Sequence, residues 1–254
     1  MSGPVVLSIG TTHPWNVAGV GLDLRIAQEY GVRALTVVAA VSAQDARGVH
    51  ALQPQPTAIV RAQMGAVPWD CIGTVRIGAL ASADAVFAVA EALAAHPQIL
   101  AVVDPVWSAS LGGALSDDAA IEALRDRLAR LPNVILTPNL AEAARLIGVE
   151  RIERDDMERT AEQLRARGAF AVLLKGGHLS GEPADILAHG DGTATFAGTR
   201  IAGEMRATGC TLAMSLACEI ARGVPLLDAV AAARAFVRAK IAGNHRFEGM
   251  QTAY

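Results

Sequence analysis

The segment 206–211 has the composition of an anion-binding turn at the start of a helix. The small side chain of Ala207 and the absent one of Gly209 leave the backbone amides accessible. The apolar run that follows predicts a helix over 211–221. The free amides and the dipole of a helix N-terminus favour a phosphate group. Cys210 would lie in the same field, which predicts a lowered thiol pKa and a side chain able to act as a base. The alternative is a plain turn before a core helix, with Cys210 as a small buried hydrophobe.

Polar side chains also follow several apolar runs that predict buried strands. Asp104 follows ILAVV, Asn139 and Glu142 follow VIL, and Lys175 ends AVLLK. In an open parallel sheet, ligands bind at the carboxyl ends of the strands, so these groups are expected to converge. One lysine, oxygen ligands and a helix-end anion site can hold a nucleoside triphosphate with magnesium. Each group also has a structural interpretation: a turn for Asp104, a capping box for Asn139 with Glu142, and a solvated strand end for Lys175.

Strands and helices alternate along the chain, which predicts a mostly parallel sheet with helices on both faces in a single domain, 1–254. The predicted strands are 4–9, 33–41, 70–77, 99–103, 133–136 and 170–174, followed by a hairpin over 184–197. The predicted helices are 18–30, 57–67, 82–95, 117–130, 140–147, 155–168, 211–221 and 226–243. The polar tail 244–254 is expected to fray or to dock late.

Composition argues against several function classes. The net charge of −3 provides no field for nucleic acid or an anionic membrane, and no apolar run approaches the roughly 20 residues of a membrane helix. The three cysteines form neither a disulfide framework nor a metal motif, which favours a cytoplasmic protein. The chain has no Walker A motif, and no Gly-x-Gly-x-x-Gly follows the first strand, which disfavours a standard P-loop or dinucleotide site.

Six short motifs occur in an order that resembles the ribokinase-like kinases, and among them the hydroxymethylpyrimidine/phosphomethylpyrimidine kinases of thiamine biosynthesis. The resemblance runs from about Leu7 to Phe236. The motifs are Ala18-Gly19 with Asp23, AQDARGV from Ala43, Asp104-Pro105-Val106, TPNLAEA from Thr137, Lys175-Gly176-Gly177-His178, and TGCT from Thr208. The resemblance implies a ribokinase-like three-layer α/β/α fold, ATP as phosphate donor, Mg²⁺ as cofactor and a homodimer.

The resemblance also implies roles for the residues that would handle phosphate. Cys210 would deprotonate the hydroxymethyl group of the acceptor, and the amides of Ala207, Thr208, Gly209 and Cys210 would form the anion hole. ATP would be held by Lys175, Asn139, Glu142, Asp104 and Thr208. Asp104 and Glu142 would be the metal ligands.

On the acceptor side, Gln44 would hydrogen-bond a pyrimidine ring, since its amide offers both a donor and an acceptor. The other substrate contacts would be Asp23, Ala18, Thr11 and Val106. The implied reaction is phosphorylation of the hydroxymethyl group of 4-amino-5-hydroxymethyl-2-methylpyrimidine, and a second phosphorylation, of the monophosphate, stays open.

The departures from the family pattern lie mainly near the acceptor. The loop 11–17 carries His13 and Trp15 where the family has an acid and small residues, Arg206-Ala207 replaces His-Gly, and a lysine is missing from 108–112. His13 is interpreted either as a substrate contact or as packing against Trp15, and His178 as a supporting group. Two other functions therefore stay open: a pyridoxal or pyridoxine kinase, and a catalytically degenerate pyrimidine sensor.

Overall fold

A computed structural model describes residues 3–109, 112–177, 181–203 and 205–254. Its central sheet has the strand order β3-β2-β1-β4-β5-β6-β7-β8-β9. These strands are β1 (Val5–Thr12), β2 (Arg33–Asp45), β3 (Gly48–Pro54), β4 (Thr74–Ile77), β5 (Leu100–Val103), β6 (Val134–Leu136), β7 (Ala171–Lys175), β8 (Ala184–His189) and β9 (Gly192–Ala197). The helices are α1 (Gly19–Glu29), α2 (Thr57–Gly65), α3 (Ala83–Ala95), α4 (Asp118–Asp126), α5 (Leu140–Ile147), α6 (Met157–Arg165), α7 (Thr208–Ala221) and α8 (Leu226–Gly243).

The six central strands of this order, β2, β1, β4, β5, β6 and β7, run parallel. Antiparallel pairs are added by β3 at one edge and by β8 and β9 at the other. The mostly parallel sheet predicted from the continuous apolar runs is therefore confirmed. Alternate side chains of a strand point to opposite faces of the sheet. In β1, Leu7 and Ile9 face the layer formed by α2 to α6, while Val6 faces the layer formed by α1, α7 and α8.

The structure extends the sheet beyond the prediction at one edge. β2 continues to Asp45 and pairs with β3, which the sequence did not predict. The extension keeps the alternation of a strand, but its buried positions are the polar Ser42 and Gln44. A search for alternating apolar residues misses such a strand because its inner face is polar.

The predicted start of α7 was wrong by one turn. α7 begins at Thr208, and the amide of Thr211 donates to the carbonyl oxygen of Ala207 at 2.8 Å. Ala207 precedes the helix in the left-handed conformation, with φ 57° and ψ 31°. Thr208, Gly209 and Cys210 therefore form the first turn of α7 and not a separate loop.

The C-terminal tail is docked and not frayed. It forms a hairpin of β10 (His245–Phe247) and β11 (Met250–Thr252), in which Gln251 and Thr252 are buried. The amide of Arg206 donates to the carbonyl oxygen of Gln251 at 2.9 Å. The hairpin therefore supports the chain just before α7.

Candidate active site

The carboxyl ends of β5, β6 and β7 bring together the polar groups that the sequence singled out. Asp104 follows β5 and is buried, and Lys175 is the last residue of β7. The Lys175 Nζ donates to Asp104 Oδ1 at 2.8 Å and lies 3.9 Å from Glu142 Oε2. With 14% of its side chain exposed, Lys175 is not a solvated strand end. It is a largely buried cation held between two carboxylates.

Asn139 and Glu142 form the capping box that the sequence allowed. Asn139 Oδ1 accepts from the amide of Glu142 at 2.9 Å, and Glu142 Oε2 accepts from the amide of Asn139 at 2.7 Å. Burial, assisted by the charge of Asp104 and opposed by Lys175, raises the pKa of Glu142 to about 7. The capping role and the position beside Lys175 are thus combined in one carboxylate.

The first turn of α7 closes against this charged cluster. A β-carbon at Gly209 would lie 3.2 Å from both Asp104 Oδ2 and Lys175 Nζ. A side chain at Gly209 would therefore crowd the charged groups, which explains why glycine suits this position. The helix N-terminus, with its free amides, faces the one lysine of the site.

The structure contradicts the predicted lowering of the Cys210 pKa. The thiol is half-buried, and burial raises its pKa above the ordinary value, with Asp104 and Asp23 acting in the same direction. The guanidinium of Arg76 and a hydrogen bond from the amide of Gly19 act the other way. The helix-terminus argument failed because it counted the dipole and left out desolvation and the neighbouring carboxylates.

Arg76 is a component of the site that sequence reasoning missed. It lies in β4 with no exposed surface, 3.2 Å from Asp23 Oδ2 through Nη1 and 3.9 Å from Asp104 Oδ2 through Nη2. The only sequence signal was an arginine inside a short apolar run before Gly78. A β-carbon at Gly78 would lie 2.2 Å from Arg76 Nη1, so the guanidinium occupies the space that glycine leaves.

Asp23 lies beneath the site and not on its surface. Its Oδ2 accepts from Ser8 Oγ at 2.6 Å and pairs with Arg76, and the residue has no exposed surface. The sequence placed Asp23 among the substrate contacts, but here it offers no accessible atom. Its charge is paired with Arg76 and also contributes to the raised pKa of Cys210.

The remaining predicted substrate contacts lie at the carboxyl ends of β1, β2 and β5. Gln44 Nε2 donates to Ser42 Oγ at 2.7 Å, and Ser42 Oγ donates to the Thr12 carbonyl oxygen at 3.2 Å. Thr11 is buried, and a β-carbon at Gly19 would lie 2.2 Å from its carbonyl oxygen. Ala18 and Val106 are half-buried.

The unusual loop after β1 is held by its histidine. His13 is buried, and its Nε2 accepts from the amide of Ala18 at 3.2 Å. Burial, and then the charge of Arg206, lower the pKa of His13, so the ring is neutral near pH 7. Its Nδ1 is buried and has no partner within the described residues. Trp15 packs edge-on against Phe247 of the C-terminal hairpin, with ring centroids 5.1 Å apart.

Two regions can now be defined. The phosphate side consists of Asp104, Glu142, Asn139, Lys175, Arg76 and the first turn of α7. The acceptor side consists of Thr11, His13, Ala18, Gln44, Val106 and Arg206. His178 and residues 110 and 111 of the segment that lacks the family lysine lie outside the described residues.

The donor set of the phosphate side fits magnesium bound together with a nucleotide. Asp104 and Glu142 supply two carboxylates, and the described residues contain no cluster of three or more side chains that could hold a metal by themselves. Mg²⁺ is commonly held by one or two carboxylates plus phosphate oxygens and water. None of the helices in the described ranges has both the length and the apolar character that crossing a membrane requires.

A family model and several curated relatives match the sequence over most of its length. A sequence model of the family described as phosphomethylpyrimidine kinase matches residues 14–253. A hydroxymethylpyrimidine/phosphomethylpyrimidine kinase of Rhizobium meliloti is 40% identical over 251 residues, covering 96% of this chain and 92% of that protein.

Two solved structures share the fold over nearly the whole chain. The phosphomethylpyrimidine kinase of Clostridium difficile is 29% identical with a TM-score of 0.82, covering 93% of this chain and 98% of the other. The pyridoxal kinase of Bacillus subtilis, solved as an ADP complex, is 27% identical with a TM-score of 0.86, covering 97% and 95%. These likenesses confirm the three-layer α/β/α architecture.

Proposed function

The chain belongs to the phosphomethylpyrimidine kinase family, and from this premise we propose that it phosphorylates the hydroxymethyl group of 4-amino-5-hydroxymethyl-2-methylpyrimidine with ATP and Mg²⁺. We extend the proposal to the resulting monophosphate. One observation carries it: the first turn of α7 packs against Lys175 and Asp104, so a helix N-terminus and a buried cation lie side by side.

The proposed chemistry assigns one task to each part of the phosphate side. Lys175 binds the nucleotide phosphates, and the amides of Ala207 to Cys210 accept the charge that develops on the transferred group. Asp104 and Glu142 hold Mg²⁺, with Asn139 orienting Glu142 through the capping box. When bound, the metal ion neutralises phosphate charge.

Cys210 is the proposed acceptor of the hydroxymethyl proton. What supports this role is its place in the first turn of α7, where the Arg76 guanidinium and the Gly19 amide favour the thiolate. Because burial raises the pKa of the thiol, only a small fraction is ionised at neutral pH. The rate of phosphoryl transfer is therefore expected to rise with pH into the alkaline range.

A test of this role compares Cys210→Ala with Cys218→Ala, a buried cysteine eight residues along the same helix. Loss of a general base costs about 10²–10⁴-fold in kcat. We expect that loss, and a flattened pH profile, in Cys210→Ala alone. Unchanged turnover in Cys210→Ala would contradict the assignment.

The acceptor itself is tested by ADP release with the hydroxymethylpyrimidine, its monophosphate, pyridoxal and pyridoxine. The likeness to a pyridoxal kinase makes the pyridine substrates the second candidate. We expect the pyrimidine to have the highest kcat/KM. Preference for pyridoxal or pyridoxine would reassign the acceptor, and no turnover of any substrate would contradict the proposal.

We further propose a homodimer in the cytoplasm. The tendency of the family supports the dimer, and the three free cysteines suit a reducing compartment. Sedimentation equilibrium would measure the mass directly, and a monomer at micromolar concentration would contradict the proposal.

A further inference from the structure

Arg206 is a buried cation that forms no ion pair with any residue that the structure describes. Only 8% of the residue is exposed. Its Nη1 donates to the Asp45 carbonyl oxygen at 3.4 Å and to Met250 Sδ at 3.2 Å. Burying a charge without a partner costs free energy, so the site favours a ligand that brings negative charge.

Two nitrogens of the guanidinium are available to such a ligand. Nε and Nη2 of Arg206 donate no hydrogen bond to any described residue, and neither is among the buried polar atoms that lack a partner. Both therefore keep accessible surface. The planar fork of an arginine matches two oxygens of a phosphate group.

The carboxylate of Asp45, whose charge acts on Arg206, is already engaged by other groups. Asp45 is paired with Arg47 Nη2 at 2.9 Å and with His50 Nε2 at 2.8 Å. Arg206 contacts Asp45 through the backbone carbonyl alone. Burial lowers the pKa of Arg206, and the carboxylate of Asp45 offsets this only in part.

The position of Arg206 links the acceptor side to the anion-binding turn. It directly precedes Ala207, and its side chain reaches the residue next to Gln44. Its charge also contributes to the lowered pKa of His13 in the loop after β1. The hydrogen bond from its amide to Gln251 fixes the backbone of Arg206 from the other side.

We propose that Arg206 binds the phosphate group of a monophosphorylated acceptor and thereby sets the preference of the site for the phosphate monoester over the free alcohol. This inference rests on the proposed function, since it names the anionic form of the same acceptor. The alcohol carries no group that could pair with the guanidinium. The monoester supplies the missing charge and two or three acceptor oxygens.

The test compares Arg206→Met with the wild-type chain on both acceptors. Methionine keeps much of the side-chain length and removes the buried charge, so the variant is expected to fold. Losing a hydrogen-bonded charge pair should lower kcat/KM for the monoester by about 10- to 100-fold, with a smaller loss for the alcohol. Arg206→Lys keeps the charge without the fork and should lie between the two.

Arg246→Met is the matched control, because Arg246 is exposed on the C-terminal hairpin and lies outside the site. It should leave the ratio of the two kcat/KM values unchanged. An unchanged ratio in Arg206→Met, or equal losses on both acceptors, would overturn the inference.

Equilibrium binding separates this inference from the proposed function. If neither acceptor is phosphorylated, the proposed function fails, and titration calorimetry with the alcohol and with the monoester still decides the role of Arg206. Tighter binding of the monoester in the wild-type chain, lost in Arg206→Met, would support the role. Equal binding of the two compounds by the wild-type chain would overturn it.

Discussion

The phosphate side and the acceptor side each contain a buried arginine, but among the described residues only the arginine of the phosphate side is paired with carboxylates. Arg76 is enclosed between Asp23 and Asp104 and has no exposed surface. Arg206 has a backbone carbonyl and a thioether sulfur as its hydrogen-bond acceptors among the described residues. The phosphate side is thus charge-balanced within the chain, whereas the acceptor side depends on a ligand for its balance.

This difference matches the chemistry proposed for each region. The nucleotide phosphates are common to every kinase of this type, so a fixed and internally paired frame can serve them. The acceptor differs between kinases, and an unpaired donor discriminates because only the right ligand satisfies it. Breaking a pair should therefore damage the phosphate side, while changing an unpaired group should alter selectivity.

The largest effect is expected from Lys175→Met. It removes the cation that would contact the nucleotide phosphates, leaves Glu142 without its cationic partner and leaves Asp104 with Arg76 alone. A loss of about 10³-fold or more in kcat is expected, comparable with removing a principal electrostatic stabiliser. Lys240→Met is the matched control, since Lys240 pairs with Glu29 outside the site. Similar steady-state kinetics in the two variants would contradict the assignment of Lys175.

The two arginines give the most direct test of the comparison. Arg76→Met leaves Asp23 buried without its cation and should lower the free energy of unfolding by about 3–5 kcal/mol. Arg206→Met removes an unpaired charge and should change it by less than about 1 kcal/mol, or stabilise the chain. Urea unfolding of both variants measures the contrast. Equal destabilisation by the two substitutions would contradict the difference in charge pairing between Arg76 and Arg206.

A smaller effect is expected from the pH dependence of Glu142. Its folded-state pKa of about 7 lies above the unfolded value of 4.5, so the folded chain binds the extra proton between these pH values. Ionising Glu142 in the fold then costs stability as pH rises from 4.5 to 7, up to roughly 3 kcal/mol. Glu142→Gln lacks this titration and can keep the hydrogen bond from Asn139. Parallel stability curves for the two proteins would contradict the raised pKa.

The smallest effect is expected at Ala207. A left-handed conformation costs alanine roughly 1–2 kcal/mol, and glycine avoids this cost. Glycine also makes the unfolded chain more flexible, which offsets part of the gain in stability. Ala207→Gly should therefore stabilise the fold by about 0.5–1 kcal/mol. Ala231→Gly, at an exposed position inside α8, should destabilise it by about 1 kcal/mol. Thermal unfolding of both variants should show shifts of opposite sign.

The sequence predicted those features that depend on local patterns. Continuous apolar runs predicted most of the strands of the parallel sheet, and the polar residues at the carboxyl ends of β5, β6 and β7 converge as expected. The capping box of Asn139 and Glu142 was readable because both partners lie within four residues.

The missed features depend on contacts between distant segments. The hydrogen bond from Arg206 to Asp45 joins residues 161 positions apart, and the role of Arg76 requires Asp23 and Asp104 from two other elements. The pKa of Cys210 depends on burial and on charges in three segments, so the helix terminus alone gave the wrong sign. Local sequence patterns carry no information about the combined effect of burial and of charges from distant segments.

The raised pKa of Cys210 has a consequence for the redox chemistry of the chain. Peroxides and alkylating reagents attack the thiolate, so a half-buried thiol that stays protonated at rest reacts slowly with them. A cysteine in this environment can occupy a catalytic position without becoming the most oxidation-prone group of the protein. The exposed Cys71 precedes β4, near the amino ends of the parallel strands, and is the cysteine that such reagents reach first.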